Sequence, residues 1–213
     1  MAYQTQQPGL RERKKQRTRA TLISAAIDLC ARQGYEQTTV EQIAAAAEVS
    51  ARTFSRYFAT KDAVMLAFLD DVVDLVAGEL AQQPPELGEL DAVFCAHITA
   101  FEKTRVAMPG QLTDDRLLAA ARIFTSSPSL MQATMGFRPA PLFEVLAKRM
   151  GVSADDRKIA LIASLWNAIM TTALVQLVPD VDWATVTVER IVNQMRTTYA
   201  EFLEVAGRRH EFA

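Results

Sequence analysis

Along most of the chain, apolar residues recur at three- and four-residue spacing, which is the period of a helix face rather than of a strand. Leu22, Ile23, Ala26, Ile27, Leu29 and Cys30 follow this spacing and stop before Gly34, which predicts a first helix over 13–33. Two short helices are predicted at 40–47 and 51–57, then a long one from Lys61 to about Gln82, ended by Pro84-Pro85. Further helices are expected at about 90–107, 113–124, 128–136, 139–150, 155–178 and 183–205, divided by Pro109-Gly110, Ser126-Ser127-Pro128, Gly151 and Pro179-Asp180. No alternating run is long enough for a strand and no internal repeat occurs, so the expected fold class is all-α.

Ile159 to Val178 is uncharged over twenty positions, the nominal length of a membrane span. Five polar residues interrupt it (Ser164, Asn167, Thr171, Thr172 and Gln176), no Lys/Arg cluster flanks one side only, and no second span follows. It reads better as a buried central helix, apolar all round because one side faces its own core and the other a second helix or subunit. The amphipathic helix over 183–205 would pack beside it across a two-fold axis.

The segment from Thr38 to Lys61, TTVEQIAAAAEVSARTFSRYFATK, carries the sharpest local signal. Val40, Ile43, Ala44 and Ala47 make one apolar face, Val49, Phe54 and Phe58 the other, and the run of alanines lets two helices cross closely. Thr39 with Gln42 predicts a capping box, and Ser50 an N-cap for the following helix. That second helix exposes Arg52, Thr53, Ser55, Arg56 and Tyr57, donors and acceptors suited to base edges and phosphates in a major groove. Thr39 and Lys61, at the openings of flanking helices, are candidates for holding a phosphate.

Charge adds to this picture. The net charge of −2 over 213 residues hides ten Lys/Arg against five Asp/Glu in residues 1–61 and thirteen against twenty in 62–213. A basic minority domain on an acidic body suits a chain that brings one end to a polyanion. Leu10 to Arg19, LRERKKQRTR, holds six basic residues against one acid and is expected to act, with Arg17 among its contacts, as an arm on phosphates or in the minor groove. Cys30 and Cys95 lie in apolar helical patterns without metal or redox spacing, so both are expected as buried thiols in a reducing compartment. The polar and then basic amino terminus has no secretory pattern, and a cytoplasmic location is expected.

Ile43-Ala44, Ala47, Val49-Ser50, Thr53-Phe54, Tyr57-Phe58 and Lys61 stand in the order found in the TetR family's DNA-binding segment, which this chain resembles over about 50 residues, upstream through Arg19, Ile23, Ala26, Leu29 and Gly34-Tyr35. The resemblance implies an amino-terminal helix-turn-helix joined to a helical ligand-binding and dimerisation domain. On that basis residues 1–12 are expected as a flexible basic arm, 13–60 as the DNA-binding domain and 61–213 as the sensor domain. Two positions depart from the pattern. Glu48 stands where the turn usually has glycine, and Ser55 where an aromatic is frequent. The resemblance further implies a homodimer on a near-palindromic operator, acting as a repressor released by a small molecule.

For the sensor, Phe94, His97, Phe101, Arg122, Phe124, Met135, Phe143, Trp166, Asn167, Met170 and Thr171 are the candidate ligand-binding residues. Ser164, Asn167 and Thr171, spaced i, i+3, i+7, form a polar stripe on an otherwise apolar helix and require hydrogen-bond partners, from the protein or from a ligand. His97 with Arg122 would orient a polar or anionic head, against the alternative of a satisfied core histidine. Residues 122–130 with 139–151 are similar to the branch of the family associated with acyl-CoA-like ligands, implying an elongated apolar ligand with a polar end.

An enzyme, a membrane-attached adaptor and an activator are the competing functions. The chain has no GxSxG, Walker loop or HExxH, and only His97 and His210 as histidine bases. Asp70, Asp71 and Asp74 fall on a charged helix face without histidine and read as solvated, not as a metal site. No catalytic residue, metal or cofactor is expected.

Overall fold

The structure is a computed structural model and describes residues 9–108, 112–134, 137–177 and 182–207. Met135 and His210, the first eight residues of the expected arm, and the expected breaks at Pro109-Gly110 and Pro179-Asp180 lie outside them. The described secondary structure is entirely helical, as the periodicity demands: α1 Leu10–Gln33, α2 Val40–Ala46, α3 Ala51–Tyr57, α4 Lys61–Leu66, α5 Asp70–Leu80, α6 Glu89–Thr104, α7 Asp114–Ser126, α8 Pro128–Thr134, α9 Ala140–Met150, α10 Arg157–Val175 and α11 Val188–Val205. The chain divides into two compact units, Met1–Ala67 and Phe68–Ala213.

One helix expectation needs correction. The helix expected from Lys61 to Gln82 is broken by a 3-10 turn at Ala67–Leu69, at the boundary between the units. Neither glycine nor proline marks the break; Asp70 and Asp71 in the first turn of α5 favour a fresh helix start there through the helix dipole. The division into compact units falls after α4. Leu10–Glu12 are helical, so the part of the expected arm that the structure describes is the start of α1.

In the first unit, α1 packs against α2 and α4, and α2 against α3. Leu22, Ile23 and Ala26 of α1, Ile43 and Ala44 of α2, and Phe54 of α3 are buried. The Cys30 thiol meets the Met65 sulfur at 3.9 Å, joining α1 to α4, and its burial raises its pKa. Tyr35 donates its hydroxyl to Asp62.

The second unit is built around α6, which packs on α5, α7, α9, α10 and α11. Ala92, Ala96 and Ala100 keep its buried side small, so neighbouring helices approach closely. Tyr199 of α11 donates to Asp91 of α6 at 2.6 Å. Near the end of α9, Arg149 bonds Glu89 Oε2 at 2.9 Å, the Gln83 carbonyl at 2.8 Å and the Pro84 carbonyl at 3.1 Å, pinning the α5–α6 connection with the planar fork only arginine offers. Cys95, expected to be buried, is only half-buried, and neither cysteine is in a disulfide.

The helix that carries most of the uncharged stretch, α10, is long and apolar enough to cross a membrane by length and composition. Within the protomer it is not buried all round: Ile159, Trp166, Ile169 and Ala173 face the core, while Leu161 is 60% exposed, Leu165 37% and Val175 43%.

Candidate functional site

Each helix of the reading motif starts with a capped turn. Thr39 Oγ1 accepts from Gln42 N–H at 3.2 Å while Gln42 Oε1 accepts from Thr39 N–H at 3.0 Å, a complete capping box. Ser50 Oγ accepts from Thr53 N–H at 3.1 Å to open α3, and Thr60 does the same for α4. Between α2 and α3 the chain turns at Glu48, the only described non-glycine residue with positive φ, at 55°. This conformation puts Cβ close to the following carbonyl and costs roughly 1 kcal/mol for a residue other than glycine. Glu48→Gly is expected to stabilise the motif by roughly 0.5–1 kcal/mol, seen as a two- to five-fold slowing of amide exchange in α2 and α3; unchanged or faster exchange would mean that the turn is unstrained.

The turn lets Phe54 and Phe58 pack with ring centroids 5.8 Å apart, facing α3 inward on that side. Arg52, Ser55 and Arg56 are exposed and Thr53 and Tyr57 half-buried. Their polar groups differ in freedom. Thr53 Oγ1 lies 3.0 Å from Ser50 Oγ, and Ser55 donates to the Ala51 carbonyl at 3.1 Å. Arg56 lies over the Tyr57 ring at 5.4 Å, and Arg52 makes no ion pair or hydrogen bond among the described residues. The side chains free to reach outward are thus the two arginines. Arg17 is exposed on α1.

Lys61, the expected phosphate contact, is the first residue of α4. Its ammonium donates to the Tyr35 carbonyl at 2.8 Å and sits 4.0 Å from the Tyr35 ring centroid, so it fastens α4 to the end of α1. Nothing in the linear pattern pairs positions 26 residues apart, which is why this was missed.

In the second unit, residues of all seven helices from α5 to α11 line an apolar cavity of about 230 Å3. Of the expected residues, His97, Phe101, Phe124, Phe143, Trp166, Asn167, Met170 and Thr171 line it. Two do not. Arg122 is exposed, on the opposite side of α7 from the buried Leu117, Ala121 and Phe124. Phe94 stacks on Tyr199 at 4.2 Å, behind the cavity wall. The lining contains a different cation, Arg138, whose guanidinium lies 5.9 Å from the Phe143 ring centroid. Pro139 after it marks a loop before α9, and an arginine in such a loop gave no periodic signal to read.

His97 is a satisfied core histidine. Trp166 Nε1–H can only donate, and it lies 2.9 Å from His97 Nε2, so Nε2 is the acceptor and Nδ1–H donates to the Val93 carbonyl at 2.8 Å. Both nitrogens are used. Burial holds the imidazole neutral, its pKa lowered to about 4. The residue is partly exposed and lines the cavity. Ser164, Asn167 and Thr171 border the same cavity and make no side-chain hydrogen bond among the described residues, leaving them available to whatever fills it. No cluster of metal-ligating side chains occurs among the described residues.

Residues 22–68 match the model for bacterial regulatory proteins, tetR family. Over 155 residues the chain is 37% identical to the HTH-type transcriptional regulator TcmR of Streptomyces glaucescens, a match covering 70% of this chain and 67% of that protein. It is 40% identical over 65 residues, 30% of this chain and 28% of the other, to the HTH-type transcriptional regulator HbdR of Aromatoleum sp. (strain CIB). Among solved structures, FadR of Thermus thermophilus, a TetR-family repressor in complex with lauroyl-CoA, aligns over 92% of this chain and 97% of its own with a TM-score of 0.49 and 20% identity.

Proposed function

The chain belongs to the TetR family and is a DNA-binding transcriptional regulator rather than an enzyme; from that premise we propose that it is a cytoplasmic homodimeric repressor, released from a near-palindromic operator by a small, largely apolar ligand. The observation that carries the ligand reading is the apolar cavity, whose few uncommitted polar groups gather on α10 and at Arg138. At about 230 Å3 it is larger than the cavity of roughly 150 Å3 that takes a benzene ring and smaller than the usual 300–1,000 Å3 of a drug-sized site. An acyl chain or compact ring system fits inside, with a polar or anionic end at Arg138. In an acyl-CoA-like ligand, only the acyl part would enter the cavity.

The exposed face of α10 supports the homodimer. Leu161, Leu165, Ala168, Thr172 and Val175 repeat at four- and three-residue steps, the seam along which a second copy would pack, and a twin surface is the self-complementary partner a two-fold dimer needs. In this reading residues 13–60 form the DNA-binding domain and 61–213 the sensor and dimerisation domain. The ligand favours a state in which the paired α3 helices no longer match successive major grooves, so operator must in turn weaken ligand binding.

Fluorescence anisotropy tests this, using the duplex upstream of the coding sequence against a scrambled duplex over a salt series. Tight binding that prefers the native duplex, reversed by a saturated acyl-CoA and by its free fatty acid but not by coenzyme A alone, is the expected result. Binding that none of the three reverses would overturn the acyl-type effector. Absence of preference at every salt concentration would overturn the operator reading.

A further inference from the structure

A serine or threonine inside a helix either returns its hydroxyl to the carbonyl one turn back or turns it toward another partner. Thr125 and Thr172 return theirs, at 2.7 Å to the Ala121 carbonyl and 2.9 Å to the Ala168 carbonyl, and Thr18, Thr21 and Thr197 do the same. Ser164 and Thr171 depart from this habit. Neither they nor Asn167 make a side-chain hydrogen bond among the described residues, although all three line the cavity. Ser164 is exposed, whereas Asn167 and Thr171 are half-buried.

The neutral polar groups elsewhere in the lining have spent their donors within the chain. His97 donates to the Val93 carbonyl at 2.8 Å, Thr125 to the Ala121 carbonyl and Thr134 to the Met131 carbonyl at 2.7 Å. The walls contributed by α5, α7 and α9 are apolar, through Val72 and Val73, Leu117 and Phe124, and Leu142 and Leu146. Apart from Arg138, the free donors thus belong to one wall. Asn167 and Thr171 share the cavity side of α10 with Ala163, Met170 and Leu174. At 1.5 Å per residue they stand about 6 Å apart along the axis. A plain hydrocarbon chain against this wall takes water from an amide and a hydroxyl and returns no hydrogen bond to either. A ligand with oxygen at that place satisfies both, and a site built around such groups selects for the partner that pairs them.

We infer that the effector is oxygenated along one edge: its buried part carries a hydroxyl or ketone that bonds Asn167 and Thr171, in addition to any polar end held at Arg138. The inference rests on the ligand reading above and narrows it, from an apolar body with a polar head to a hydroxy- or oxo-substituted chain or ring. Asn167 offers both a donor and an acceptor, and the Thr171 hydroxyl serves as either, so a hydroxyl and a ketone are both accommodated. The unsubstituted edge of the ligand faces the apolar walls.

Tryptophan fluorescence of the full chain, with Trp166 in the cavity wall as reporter, tests it. The probes are decanoic acid with its monohydroxy and mono-oxo isomers, and naphthalene with its diols. At least one oxygenated isomer should bind on the order of 10- to 100-fold tighter than its parent. The chain and ring series show which skeleton carries the oxygen. In the double variant Asn167→Leu, Thr171→Val the preference should vanish through loss of the oxygenated ligand, with the parent held at least as tightly. The single variant Thr171→Ser, which keeps the hydroxyl, should retain the preference. Equal binding of every isomer and its parent, or a preference that survives in the double variant, would overturn the inference and leave a plain acyl effector standing. Failure of every probe to bind a chain that still binds its operator would remove the ligand reading and the inference together. If the double variant does not fold, the comparison of isomers with parent in the unaltered chain decides the matter.

Discussion

The double variant Arg52→Ala, Arg56→Ala is expected to lose 100- to 1,000-fold in affinity for the native operator and to bind it little better than scrambled DNA. A bidentate arginine contact with a base contributes about 1–3 kcal/mol of discrimination, and α3 carries two exposed arginines not committed to any hydrogen bond within the protein. The helix itself does not depend on them. Ser50 caps it, Phe54 and Phe58 anchor it, and both arginines lie outside that core. The change in stability should stay within about 0.5 kcal/mol, as for surface substitutions generally. Anisotropy with both duplexes, beside a urea titration, separates the two effects. A folded variant that still prefers the native duplex would show that α3 is not the helix that reads sequence.

The two units differ in how much of them could be read from the chain. The reading motif is built from contacts a few residues apart, so Thr39 with Gln42, Ser50 with Thr53, and the apolar faces of α2 and α3 were all visible as short-range patterns. Glu48 was visible too, as a residue out of place at a turn that its φ of 55° explains. The cavity arises from seven helices that meet only in three dimensions. Composition and period identified the aromatic residues able to line it, but not the phase of each helix around its axis. Arg122 illustrates this: it is one residue from Ala121 and two from Phe124, yet the rotation of α7 turns it to solvent. Trp166 and His97, 69 residues apart, could not have been paired from sequence, and their bond is what removes His97 from the list of groups free to meet a ligand. The break at Ala67–Leu69 had no breaker residue to announce it, because it answers to the division between two cores.

That buried pair leads to a dependence of stability on pH. His97 keeps a pKa of about 4 in the folded chain against 6.5 for an unburied imidazole, chiefly because burial disfavours its charged form. The unfolded chain therefore takes up a proton between these values that the folded chain refuses. The resulting stability is fully present above pH 6.5, declines as pH falls, and is gone near pH 4, a loss of about 3 kcal/mol at 1.36 kcal/mol per unit. Protonation also replaces the lone pair on Nε2 with a second donor, setting it against Trp166 Nε1–H. Carboxylates titrate over the lower part of this range, so wild type must be compared with His97→Gln, whose amide oxygen can still accept from Trp166 but does not ionise. Urea unfolding followed by tryptophan fluorescence should give a wild-type advantage that shrinks steadily from pH 7.5 to pH 4.5, while every other titrating group cancels between the two proteins. A gap that stays constant across that range would mean that His97 is protonated or solvated in the folded chain. The cavity would then be wetter than its apolar lining implies, and a charged ligand head would become its natural occupant.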